Sequence, residues 1–175
     1  MKTILLSQLL LLSWQAALAQ HAFSAGPDLA LASNFRTDGV GAGASLHYRF
    51  RFSGRHGIGI RLARTEFPHR YGKISFSTAR LTYAYSPSRY FQVSAEGGFG
   101  DGVYHNKDGP GYENVHHWGP AASVTPAFIM PITKQSFLQP AFSVNFFRLY
   151  PLYNRAWWYT WFGLVLSYGV RFGRQ

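Results

Sequence analysis

Residues 162–172 read FGLVLSYGVRF. Phe162, Leu164, Leu166, Tyr168, Val170 and Phe172 share one parity, and Gly163, Val165, Ser167, Gly169 and Arg171 the other. Side chains of a strand point alternately to its two faces, so this period of two marks a strand with different surroundings on each side. One face is large and apolar, the other small or polar. The same division recurs upstream. Val40, Ala42, Ala44, Leu46, Tyr48 and Phe50 oppose Gly41, Gly43, Ser45, His47, Arg49 and Arg51. Further alternating stretches lie around residues 23–31, 58–62, 79–85, 91–99, 123–130 and 138–146, giving eight candidate strands.

The composition agrees. Of 175 residues, 18% are aromatic, only 14% are charged and 18 are glycine. A disordered chain would be richer in charge and poorer in aromatics. There is no cysteine, which excludes a disulfide framework, a thiolate zinc site and a lipidated cysteine. Lys and Arg number 17 against 7 acidic residues, a formal charge of +10.

The first nineteen residues stand apart. Lys2 precedes an apolar run containing Leu5, Leu6 and residues 9–12, and the stretch closes on Ala17, Leu18 and Ala19. A basic start, a short apolar core and a small-x-small site are expected of a secretory signal peptide, residues 1–19. The run is shorter than the roughly 20 residues of a membrane-spanning helix. Residues 20–175 are then expected to form one β-domain. Export without cysteine fits a bacterial envelope protein.

The connections add an independent signal. Counted from the first strand, the odd links fall at 34–39, 66–72, 101–118 and 150–157, and the even links at 53–56, 86–89 and 133–136. Long and short links alternate, as in membrane barrels with short turns at one end and longer loops at the other. Small residues on the polar face suit a narrow eight-stranded lumen, which side chains fill. The apolar face is almost free of charge, whereas the outside of a soluble barrel carries Lys and Glu. Aromatics crowd the strand ends: Tyr48, Phe50, Phe52, Tyr83, Tyr85, Tyr90 and Phe91 by the short turns, and Tyr150, Tyr153, Trp157, Trp158, Tyr159 and Trp161 by the last long link. Two such girdles mark membrane interfaces. The fold class expected is all-β, an eight-stranded antiparallel up-and-down transmembrane barrel. Pro27, Pro126 and Pro140 fall inside the strands and are expected to cause bulges or shifted ends, because proline removes a ladder donor.

Over nearly its whole length after residue 19, the chain resembles the small eight-stranded outer-membrane barrels, such as the OmpA transmembrane domain and the OmpX/Ail group. The terminal alternation of Leu166, Tyr168, Val170 and Phe172 resembles the signal read by the barrel-assembly machinery. It departs from that pattern in carrying Gly173, Arg174 and Gln175 after the aromatic. The resemblance implies a monomeric integral protein of the bacterial outer membrane, without catalytic activity or cofactor. Eight strands leave no pore.

Three groups of residues are candidate sites. Asp28, Arg49, Arg61, Arg80 and Glu96 share the polar face, with His47 near, and are expected to form a lumen ion-pair network. Arg36, Arg64, Arg70, Lys73, Arg148 and Arg155 gather at the long-link end. There they are placed to meet lipopolysaccharide phosphates, which Arg and Lys bind well. His105, His116 and His117 lie in the 101–118 link beside Asp101, Asp108 and Glu113. They are weak metal candidates, since the spacing matches no standard site. Gly109, Pro110 and Gly111 are turn chemistry. An exported barrel disfavours nucleic acid as the partner of the basic excess.

Two other functions compete with a binding or structural role. A lipid A acyltransferase or deacylase needs a serine with a histidine base and an acidic orienter. Ser45 with His47 and Ser53 with His56 are the nearest pairs, both at the short-turn end. A soluble periplasmic ligand-binding barrel would turn the same apolar faces inward.

Overall fold

The computed structural model describes residues 20–32, 39–69, 72–106, 115–149 and 157–173. The sequence-expected signal segment, residues 1–19, and Arg36, Arg70 and Arg155 lie outside these.

The described residues form strands and turns with no helix. The strands are β1 (Gln20–Ala32), β2 (Val40–Arg51), β3 (His56–His69), β4 (Gly72–Tyr85), β5 (Phe91–Asn106), β6 (Val115–Phe128), β7 (Met130–Pro131), β8 (Ser136–Leu149) and β9 (Trp157–Phe172). β7 is a two-residue continuation of β6: Ala127 pairs with Ala141 of β8, and Met130 with Leu138, in one unbroken register. All pairings are antiparallel between neighbours in sequence, β9 pairs with β1, and β6 with β8 completes the ring. The result is a closed eight-stranded up-and-down barrel with no free edge.

Serine and threonine hydroxyls set the short turns. Ser53 Oγ accepts from the His56 amide at 3.2 Å, and Ser88 Oγ from the Phe91 amide at 3.1 Å. Thr133 Oγ1 accepts from the Ser136 amide at 2.9 Å. The other end differs from expectation. His69 pairs directly with Gly72, so only two residues separate β3 from β4. β5 and β6 pair out to Tyr104 and Val115, so much of the expected 101–118 loop is strand. Cross-strand pairing of alternating side chains carries the sheet past the apolar belt here.

The prolines do not create bulges. The β1–β9 ladder passes from Ala25 opposite Tyr168 to Asp28 opposite Val165 with no residue inserted. β6 and β8 pair from Ala121 to Val124 and again at Ala127, also in constant register. Each proline costs local ladder bonds without shifting the strand, because its ring lies on the outer face where no side chain is displaced.

The two faces divide as the alternation predicts. Outside stand Phe23, Leu46, Ile60, Leu62, Leu81, Phe99, Val124, Phe142, Leu164 and Leu166, all substantially exposed; Leu81 is 70% exposed and Phe99 69%. Inside lie Ser24, Ser45, Thr82, Ser94, Thr125, Ser143 and Ser167, all buried. This is inside out for a water-soluble barrel, which disfavours the soluble ligand-binding reading. An apolar belt around the whole barrel far exceeds the patches a monomer exposes to water.

Candidate functional site

The lumen is built in layers. At its middle, Glu96 of β5 accepts from Arg61 of β3 at 3.3 Å and lies 3.4 Å from the Arg80 guanidinium of β4. Ser123 Oγ donates to its second oxygen at 2.7 Å. Arg80 also donates to Asn145 Oδ1 at 2.9 Å, and Arg61 to Ser45 Oγ at 3.3 Å. One carboxylate thus serves two buried guanidiniums, and neutral groups take one further donor of each, while both Nε atoms stay without a partner. Such a trio holds together only because its members satisfy one another in a dry interior.

Two expected members stand apart from its hydrogen bonds, although the Asp28 carboxylate still acts on Arg61 and Arg80 through space. Asp28 lies inside, 6% exposed, but among the described residues it makes no ion pair, and its Oδ1 has no hydrogen-bond partner. It faces Gly163 of the neighbouring strand, where an added Cβ would come within 2.8 Å of Oδ1. Arg49 is equally buried, yet it lies toward the short turns, away from Glu96. Parity placed all five side chains inside; only their height along the strands separates them.

An aromatic layer closes the lumen toward the long-link end. Phe76 of β4 stacks on Trp161 of β9 at 5.1 Å, with Phe67 and Phe147 packed against them. All four are buried. Trp161 therefore belongs to this plug and not to the outer girdle. Ala22, Ile129 and Phe137 form a smaller apolar cluster toward the short turns. Between the two, the polar cavity beside His47 and Glu96 measures about 20 Å³, room for about one water.

The outer face carries a second set of groups. Arg64 donates to Glu66 Oε1 at 2.7 Å, and Lys73 to Glu66 Oε2 at 2.9 Å. Arg148 stacks over Trp158, 5.6 Å from the ring. These groups stand above the apolar belt. Below Arg64 runs an open groove of about 740 Å³ on the barrel's outside, lined by Ala44, Leu62, Ala79, Phe99 and Trp118. At the short-turn end His21 bonds the Tyr48 hydroxyl at 2.7 Å, and His56 the Tyr83 hydroxyl at 2.6 Å. Tyr48, Phe52, Tyr83, Tyr85 and Tyr90 are exposed there, forming the expected girdle.

The three metal candidates do not converge. His105 lies on β5 and meets Ser75 Oγ at 3.1 Å. His116 and His117 are consecutive on β6 and so point to opposite faces. His116 pairs with Asp101 at 2.6 Å. Among the described residues no three His, Asp or Glu are grouped to hold a metal.

The expected serine and histidine pairs are not assembled for catalysis. Ser53 caps its own turn, and Ser45 accepts from Arg61. Ser75 and His105 do meet, a contact that sequence spacing hides because it joins paired strands thirty residues apart. Ser75 is 2% exposed, out of reach of a substrate.

No family model matches the sequence, and no curated protein is similar to it. Solved structures are similar in fold. Ail of Yersinia pestis superposes with a TM-score of 0.65 at 14% identity, covering 88% of this chain and 99% of Ail. Neisserial surface protein A gives 0.61 at 12% identity, covering 87% and 97%. OprG of Pseudomonas aeruginosa gives 0.52 at 10% identity, covering 91% and 98%. The chain therefore has the fold of the small eight-stranded outer-membrane barrels that its sequence pattern resembles.

Proposed function

We propose that this chain is an integral, non-catalytic protein of a bacterial outer membrane that holds phosphorylated acyl lipid, of the lipopolysaccharide kind, on its outer face. The observation that carries this reading is the groove beneath Arg64. It is mostly apolar along its length, with the Arg64 guanidinium and the Asp101 carboxylate at its upper rim. A lipid with acyl chains below and a phosphate above matches both parts. Glu66 binds both Arg64 and Lys73, and Asp101 at the same height is paired with His116, so the Arg64 guanidinium is the groove's own donor to a phosphate. Arg148 extends the basic rim elsewhere, and Arg36, Arg70 and Arg155 belong to the same expectation from sequence.

The apolar belt supports membrane insertion, and residues 1–19 support export as a signal peptide. The outward alternation of β9 up to Phe172 supports recognition by the barrel-assembly machinery. Every strand edge is paired in the ring, which supports a monomer. The filled lumen supports a role other than solute passage.

The test is lipid retention. The refolded protein in nanodiscs is offered lipid A, and binding is read by native mass spectrometry for the natural chain and for Arg64→Gln combined with Lys73→Gln. The expected result is lipid A carried by the natural chain and lost from the double variant. Equal retention would contradict the reading. Expression in a lipid A-producing host gives a second readout: unchanged lipid A mass is expected, and a loss or gain of an acyl chain would replace the binding role with an enzymatic one.

A further inference from the structure

Among the described residues, the short-turn end of the lumen holds cations without counter-charge. Ala22 of β1 pairs with Arg49 of β2 on one side and with Arg171 of β9 on the other. The three share parity, so both arginines lie on the lumen side of the sheet, one on each flank of the small Ala22 side chain. Arg51 follows two residues after Arg49 on the same face, opposite Gln20. Three guanidiniums thus converge on one mouth of the barrel.

Two of them are positioned by neutral groups. Arg51 donates to Ser86 Oγ at 3.2 Å, and Arg171 lies over the Phe137 ring at 4.9 Å. Arg49 is 6% exposed, and its Nη1 is buried with no hydrogen-bond partner. Arg51 and Arg171 are the charges that act on it, both of its own sign. Among the described residues the carboxylates are elsewhere: Asp28 and Glu96 in the lumen's middle, Glu66 and Asp101 on the outer face toward the long-link end. A depression of about 170 Å³ opens beside Arg171, bordered by Gln20 and Gln135.

A buried guanidinium with an unused donor, facing two more cations, is costly unless an anion joins it. A guanidinium fork matches the paired oxygens of phosphate. We propose that Arg49, Arg51 and Arg171 form a binding site for a phosphate-type oxyanion at the short-turn mouth of the lumen. Its source is either free phosphate or the headgroup of an anionic phospholipid in the adjacent leaflet. The site lies at the opposite end from the outer-face groove and does not depend on that reading.

The test is the unfolding equilibrium of the refolded full chain at constant ionic strength, with inorganic phosphate replacing chloride. Binding to the folded state alone raises the folding constant about eleven-fold at phosphate ten times its Kd. The natural chain is expected to gain stability with phosphate, and Arg49→Met and Arg171→Gln to lose that gain. Arg171 is partly exposed, so Arg171→Gln carries the comparison if Arg49→Met does not refold. A parallel series in phosphatidylcholine nanodiscs, with and without phosphatidylglycerol, identifies the source. A gain with phosphatidylglycerol alone assigns the site to a headgroup, and a gain with phosphate assigns it to the free ion. No gain in either series, or the same gain in the variants, would overturn the proposal.

Discussion

Phase-filling of this lumen is seen in one contact: the rings of Phe76 and Trp161 stack 5.1 Å apart at 22°, although their strands β4 and β9 are not neighbours in the sheet. The contact crosses the barrel, so it ties opposite walls together where hydrogen bonds between neighbouring strands cannot. Phe76→Ala or Trp161→Ala is expected to cost about 3–5 kcal/mol each through lost burial and the cavity left behind. Because the rings touch, the double variant is expected to cost less than the two single costs combined. Urea unfolding of the refolded variants measures this. Additive costs would mean that the plug does not act as a unit.

Glu96 and Asp28 make a contrasting pair. Glu96→Gln leaves Arg61 and Arg80 buried without a carboxylate and is expected to cost about 3–5 kcal/mol. Asp28→Asn removes a buried charge that acts on Arg61 and Arg80 only through space, without a contact ion pair, and is expected to cost clearly less than Glu96→Gln. The same unfolding assay compares them. Equal losses would show that Asp28 supports the arginines as strongly as Glu96 does.

How much of this was legible in the sequence depends on what each feature rests on. The inward and outward faces follow from a period of two, and the positions of Arg61, Arg80, Glu96 and Leu81 were readable at once. Height along the barrel is another matter, because it depends on register between strands. Alternation therefore groups Arg49 with Glu96, and nearness to the last long link groups Trp161 with the outer girdle. Parity alone would have put Trp161 inside, since it shares a face with Gly163 and Val165. The contact of Ser75 with His105 comes from the pairing of β4 with β5, which no local spacing reveals. Loop lengths mislead at residues 66–72 and 101–118, where residues 66–69, 101–106 and 115–118 form strand beyond the apolar belt.

The belt gives a positional prediction. Leu81 sits on the outer face between Ile60 and Gly97. Leu81→Arg is expected to cost about 2–4 kcal/mol, as a basic side chain does near the bilayer midplane. Arg64→Leu, at the rim, removes only an exposed ion pair and is expected to change stability by about 1 kcal/mol or less. Refolding into lipid vesicles followed by denaturant titration separates the two. Equal effects would place the belt elsewhere.

Gly26 tests the closure between the first and last strands. A Cβ there would lie 2.6 Å from the Ser167 Cα and 2.7 Å from the Leu166 carbonyl carbon, both backbone atoms. Backbone cannot yield as a flexible side chain does. Gly26→Val is expected to lower refolding yield by forcing β1 from β9, where the ladder is already interrupted beside Pro27. Gly54, with open space around it, provides the control: Gly54→Ala is expected to refold normally.

The central claim is that this chain is a barrel whose apolar side chains face lipid. The most direct measurement is the electrophoretic mobility of detergent-refolded protein, unboiled against boiled. The account predicts two mobilities, because a closed membrane barrel resists the detergent until heated, and a protein that precipitates when detergent is removed. A single mobility with and without boiling, from a protein that stays dissolved without detergent, would contradict it.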